Sequence, residues 1–126
     1  MEYSKKIKGS FDEAKAKLTE SLQKQGFGII TSIDLKETFK NKLGVDFRRY
    51  TILGACNPKF AHQVVSIDPQ VGLMLPCNVV VQEHQEGEIE ISAVNPMERI
   101  GQLNPEVTEV ASAVGERLKL AINDVA

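Results

Sequence analysis

The chain has 126 residues, of which 42% are hydrophobic and 25% are charged, a balance typical of one folded domain spanning residues 1–126. Its formal net charge of -2 argues against nucleic acid as a partner, because binding to phosphate backbones needs a basic surface. The N-terminus is polar and no apolar run approaches the length of a membrane span. We therefore expect a cytoplasmic protein with no membrane partner.

The charge is divided unevenly along the chain. Residues 1–50 carry a formal charge of +4, and residues 51–126 carry -6. Surface charge mostly serves solubility, so we interpret this asymmetry as solvated helix faces in one half and an acidic hairpin in the other. A docking or self-association surface is the alternative.

The first part of the chain predicts a strand, a helix and a second strand. Residues 1–8 form the polar first strand. Ser10 and Glu13 make an S-x-x-E capping box at the start of the helix. Gly26 falls at the position after the last helical turn, where a glycine in the left-handed conformation commonly ends a helix. Residues 28–33 are then predicted as a strand.

The next part predicts a short helix, a strand and another short helix. Asp34 begins the first of these helices and Gly44 closes it. Residues 47–55 are rich in Tyr, Thr, Ile and Leu, which favour a strand. Asn57 followed by Pro58 is an N-cap with proline at the first helical position, which starts the second helix.

The last part predicts a hairpin and a long terminal helix. Residues 73–82 and 88–94 form the two arms of the hairpin, and the second arm alternates apolar and polar residues. Pro76 implies an edge position, a bulge or a late start for the first arm. Asn104-Pro105 repeats the N-cap and proline pattern before a helix with one apolar stripe.

The order of these elements is β-α-β-(α)-β-(α)-β-β-α. Alternating strands are typical of an antiparallel sheet with one buried face, and the helices would cover that face. The sequence therefore predicts an α+β two-layer sandwich with a mainly antiparallel sheet of about five strands.

Two Cys-Asn steps, Cys56-Asn57 and Cys77-Asn78, interrupt otherwise apolar segments. Cys56 ends a strand directly before the helix cap, where the helix dipole favours a thiolate. If the strands over 47–55 and 73–82 are neighbours, the two steps meet at one end of the sheet. In the competing interpretation both cysteines are small buried apolar residues and Asn57 is only a cap.

The same two thiols are the weak candidates for a metal site. Zinc prefers four ligands, and His62 and His84 are the only histidines that could join the two cysteines. No C-x-x-C or H-x-x-x-H spacing is present, and both histidines fit solvent-exposed positions. The sequence thus predicts no metal site and identifies no cofactor.

The stretches Arg49-Tyr-Thr-Ile-Leu-Gly-Ala-Cys-Asn-Pro58 and Leu75-Pro-Cys-Asn-Val-Val-Val81 resemble domain-of-unknown-function family 302. The resemblance extends from Gly26-Phe27 to Asn95-Pro96 and covers nearly the whole chain. It implies a fold similar to the TATA-binding-protein class and a homodimer, but no particular activity. The family's motif residues fall here on Tyr50, Gly54, Cys56, Asn57, Pro58, Ala61, Pro76, Cys77 and Asn78.

Three hypotheses for function remain open. The first is a binding module for a small ligand, with Tyr50, Cys56, Asn57, Cys77 and Asn78 around its pocket. The second is a thiol enzyme or redox sensor with Cys56 as nucleophile and Cys77 as resolving residue. The third is a structural or interaction protein that acts as a homodimer.

Overall fold

The fold is described from a computed structural model, which covers residues 2–101 and 104–126. Its strands are β1 (Glu2–Lys8), β2 (Gly28–Asp34), β3 (Tyr50–Cys56), β4 (Cys77–Gln85) and β5 (Glu88–Val94). Its α-helices are α1 (Phe11–Lys24), α2 (Leu35–Leu43), α3 (Pro58–Ile67) and α4 (Thr108–Asn123). Short 3-10 helices cover Pro69–Met74 and Pro105–Val107, and a π-helical turn covers Met97–Gly101.

The five strands form one sheet in the order β1-β5-β4-β3-β2, and every neighbouring pair is antiparallel. Helices α1 and α4 contact each other and pack against strands of this sheet. The buried side chains of β5 alternate as predicted, with Ile89, Ile91 and Ala93 in the core. The predicted α+β two-layer sandwich is confirmed, whereas its likeness to the TATA-binding-protein class stays a prediction.

The predicted helix boundaries of the first half follow from local hydrogen bonds. Ser10 Oγ accepts a hydrogen bond from Glu13 N, at 3.3 Å, and so caps the start of α1. Gly26 has a φ of 89°, and Phe27 N donates to Leu22 O at 2.9 Å, which closes the end of the same helix. These bonds satisfy backbone groups that a helix leaves unpaired at its ends.

Three elements begin later than the sequence predicts, and β3 is one of them, since it begins at Tyr50 and not at residue 47. Strand β4 begins at Cys77, not at 73, because Pro76 has no N–H to donate and β4 is a central strand. Helix α4 begins at Thr108, because Asn104 caps the preceding 3-10 turn by accepting from Glu106 N at 2.9 Å.

Helix α2 forms as predicted but buries none of its residues, and Leu43 is 69% exposed.

Two clusters of buried apolar residues hold the fold together. The larger lies between the sheet and helices α1 and α4. The smaller joins α3, the two 3-10 helices, the π-helical turn and the start of α4, through Val64, Val71, Val107, Ile100 and Ala111. No helix within the described residues is long and apolar enough to cross a membrane.

Candidate functional site

The two Cys-Asn steps lie side by side in the sheet. Strand β3 pairs with β4, so that Ala55 is opposite Cys77 and Gly54 is opposite Asn78. Cys56 is the last residue of β3 and Cys77 is the first of β4. The strand ends that carry both steps are therefore neighbours, as the predicted pairing requires.

A cavity of about 230 Å³ lies beside these strand ends, between the two core clusters. Its lining is almost wholly apolar, and it contains both thiols and one side-chain amide, that of Asn57. Exposed Ile30 belongs to the lining, so the cavity reaches the protein surface. The lining residues are Phe27, Ile30, Ala55, Cys56, Asn57, Phe60, Ala61, Val64, Leu75, Pro76, Cys77, Ile100, Ala111 and Val114.

The two thiols in this cavity differ in their surroundings. Cys77 is only 5% exposed, and Cys56 is half-buried. Burial, together with the charge of Cys56 nearby, raises the pKa of the Cys77 thiol to about 11. At neutral pH Cys77 is consequently a protonated, poorly nucleophilic thiol, and Cys56 is the more accessible of the two.

Asn57 has a structural task at the edge of the cavity. Its Oδ1 accepts a long hydrogen bond of 3.5 Å from Phe60 N and so caps α3. Its Nδ2 donates an equally long bond to Gln25 O in the loop that ends α1. Gly26 has a φ of 89°, which disfavours any residue with a Cβ atom, and such an atom would also lie 2.9 Å from the same Nδ2. Asn57 thereby joins the start of α3 to the end of α1.

Tyr50 and Asn78 lie at a different concavity. They line a hollow of about 640 Å³ together with other side chains of the sheet, such as Val80 and Gln82. Asn78 is exposed, whereas its neighbours Cys77 and Val79 are buried in the helix-covered core. Since successive side chains of a strand point to opposite faces, this hollow lies on the sheet face away from α1 and α4. The structure thus brings Cys56, Asn57 and Cys77 together, but not Tyr50 and Asn78 with them.

Gly54 permits a close approach between β3 and the segment before β4. A Cβ atom on Gly54 would lie 2.7 Å from Pro76 Cγ and would overlap the hydroxyl of Thr31. Because Pro76 lines the cavity, this close packing also fixes one of its walls.

The histidines lie outside this cavity. His62 is exposed on α3, and His84 Nε2 lies 2.8 Å from Glu90 Oε1 on the hairpin. Within residues 2–101 and 104–126, no group of three or more His, Cys, Asp or Glu side chains is placed to hold a metal ion. Neither histidine lines the cavity beside Cys56 and Cys77.

Most of the apolar lining residues were not predicted as site residues. Phe60, Val64, Ala111 and Val114 belong to the apolar faces of α3 and α4, a pattern that normally indicates core packing. Ile100 belongs to a turn for which the sequence predicts only a loop. Periodicity shows which side of a helix is buried, but carries no signal for the space left between two buried faces.

The fold and the cavity define an α+β domain with a small apolar pocket at the ends of two central strands. The chain belongs to the family described as "Domain of unknown function DUF302", which matches residues 3–125. A solved structure described as an uncharacterized conserved protein DUF302 from Bacillus stearothermophilus is similar, with a TM-score of 0.91 and 29% identity over 99% of this chain and 98% of that one. An "Uncharacterized protein" of Aquifex aeolicus (strain VF5) is 22% identical over 99% of this chain and 84% of its own length.

Proposed function

We propose that the chain is a small-ligand-binding module whose ligand occupies the cavity beside Cys56, Asn57 and Cys77. The observation that carries this proposal is the size and apolar lining of that cavity. Ligand pockets are characteristically apolar hollows with few polar groups, and Asn57 and the two thiols are the polar groups available here. Tyr50 and Asn78, predicted as ligand contacts, lie outside this site.

A melting experiment with a matched pair of variants tests this proposal. Neutral apolar compounds of increasing size should raise the melting temperature, since a ligand at 100 times its Kd stabilises the folded state by about 2.7 kcal/mol. Ala61→Leu places a larger side chain in the lining and should abolish the shift. Ala113→Leu makes the same chemical change at an exposed position of α4 and should keep it. No shift with any compound, or equal shifts in both variants, would refute the proposal.

The alternative is thiol chemistry at the same cavity. Cys56 thiolate would attack a hydroperoxide oxygen, releasing alcohol or water and leaving a sulfenic acid. Cys77 sulfur would then displace the hydroxyl group, which leaves as water with the Cys77 thiol proton, and a disulfide forms. The nearness of the two cysteines supports this alternative, but the raised pKa of Cys77 makes it a slow resolving thiol. Mass spectrometry after stoichiometric peroxide would reveal the disulfide as a loss of two hydrogens.

The predicted homodimer has a separate structural motivation. Exposed Ile33 and half-buried Ile52 and Val80 are register neighbours across β2, β3 and β4, on the sheet face away from α1 and α4. A second copy of the chain that covered this face would bury their apolar surface. Sedimentation at low and high salt tests the assembly, and a dimer that Val80→Asp converts to a monomer would support it. A monomer at both salt concentrations would exclude it.

A further inference from the structure

An arginine side chain lies against the lining of the cavity. Phe60 contributes to the lining, and the guanidinium carbon of Arg117 is 5.9 Å from the centre of its ring. Val114, another lining residue, is one helical turn before Arg117 on α4. The permanently charged guanidinium of Arg117 is therefore separated from the apolar cavity only by the Phe60 ring.

This charge is available to a ligand. The ion pairs among the described residues join other side chains, and none of them includes Arg117. Arg117 is exposed, and Lys59, next to Phe60 on α3, is exposed as well. These are two of the four basic residues in the acidic part of the chain, residues 51–126. Two of the few positive charges in this part of the chain are therefore carried by α3 and α4, the helices of Phe60 and Arg117.

The volume of the cavity limits the apolar part of a ligand. An engineered apolar cavity of about 150 Å³ binds benzene, which has six non-hydrogen atoms. By proportion, a cavity of about 230 Å³ accommodates about nine non-hydrogen atoms. An unpaired carboxylate would be costly inside such a lining, so a charged end has to stay at the surface.

We propose that the ligand is a small amphiphilic monocarboxylate, with an apolar body of about eight carbons in the cavity and its carboxylate on Arg117. This inference rests on the proposed function and specifies its ligand class. The guanidinium supplies two parallel N–H donors, which match the two oxygens of a carboxylate.

Calorimetric titration with three eight-carbon probes tests the charge requirement. Octanoate should bind more tightly than 1-octanol, and 1-octanol more tightly than octylammonium. Arg117→Gln should weaken octanoate binding by about threefold to tenfold, the range between an exposed ion pair and a charged hydrogen bond. It should leave 1-octanol binding unchanged. Lys119→Gln removes a positive charge from an exposed position of the same helix and should leave octanoate binding unchanged.

The outcomes separate this inference from the function on which it rests. Equal binding of octanoate and 1-octanol, with no effect of Arg117→Gln, would overturn the carboxylate requirement while leaving the apolar pocket in place. Binding of none of the three probes would overturn both. A series from butanoate to dodecanoate should reach its highest affinity near eight carbons. A steady rise in affinity through dodecanoate would overturn the size limit.

Discussion

Ala55 of β3 is the cross-strand partner of Cys77 of β4. This pairing places the last residue of one strand, Cys56, beside the first residue of the other, and both thiols reach one cavity. The asparagines that follow them are separated, since Asn57 caps α3 and Asn78 lies on the opposite face of the sheet. Two identical dipeptides therefore have different structural roles.

We expect the two thiols to differ strongly in alkylation by iodoacetamide at pH 8. A shift of the Cys77 pKa from 9.0 to about 11 lowers its thiolate fraction roughly a hundredfold relative to the unfolded chain. Cys77 should therefore react at least about a hundredfold more slowly in the folded protein than in denaturant. Cys56→Ser isolates Cys77 for this comparison and keeps its burial, which is the larger cause of the raised pKa, and Cys77→Ser isolates Cys56. Rapid labelling of folded Cys56→Ser would contradict the burial of Cys77.

Stability should fall at alkaline pH because of the same thiol. The folded state keeps the Cys77 proton up to a pKa of about 11, whereas the unfolded chain loses it near 9.0. Between these values the unfolded state binds fewer protons, so the free energy of unfolding decreases as pH rises. The contribution is present below pH 9 and should decline at up to about 1.4 kcal/mol per pH unit above it. Urea unfolding from pH 8 to 11 measures this slope, which should be shallower in Cys77→Ala.

Gly54→Ala should destabilise the fold strongly. The added methyl group would collide with Pro76 and Thr31, and overpacking of this kind typically costs about 1–3 kcal/mol. Gly28→Ala is the matched control in the neighbouring strand, since a Cβ atom at Gly28 meets nothing within 4 Å. Its effect should be small or slightly stabilising. Equal losses in chemical denaturation would show that the close contact at Gly54 has no special role.

Asn104→Ala should raise the pKa of Asp68. Asn104 Nδ2 donates a hydrogen bond of 2.8 Å to Asp68 Oδ2, and this bond, together with one from the backbone N of Gln70, lowers the pKa of the carboxyl group. The stabilisation is present above the unfolded pKa of Asp68 and is lost as pH falls through the folded one. Carbon-detected NMR titration measures the shift, with exposed Asn41→Ala as control. An unchanged Asp68 pKa in Asn104→Ala would contradict the assignment.

The order of elements was predictable because its signals are local. Capping residues such as Ser10 and Asp34, and the left-handed glycines Gly26 and Gly44, act within one helical turn. The sequence left three interpretations of Pro76 open, namely an edge position, a bulge or a late start of β4. Because β4 lies between β5 and β3, it is not an edge strand, and it starts after the proline.

The cavity was predictable only in part. The pairing of β3 with β4 brings Cys56 and Cys77 together, and their neighbourhood could be proposed from strand order. Asn57 lies at the cavity because α3 starts there, and Asn78 lies on the other side of the sheet because Cys77 and Val79 occupy the buried face of β4. Neither fact follows from the Cys-Asn pattern alone. The volume beside Val64, Ile100 and Ala111 depends on how two core clusters meet, and no short sequence pattern encodes it.

Mapping of a neutral probe by amide NMR tests the central claim most directly. Titration of the folded chain with 1-octanol should give saturable chemical-shift changes at residues 55–61, around Cys77 and at residues 111–114, and Ala61→Leu should remove them. Shifts confined to Asn78, Val80 and Gln82 on the opposite sheet face, or the absence of saturable shifts, would contradict a ligand site at the two cysteines.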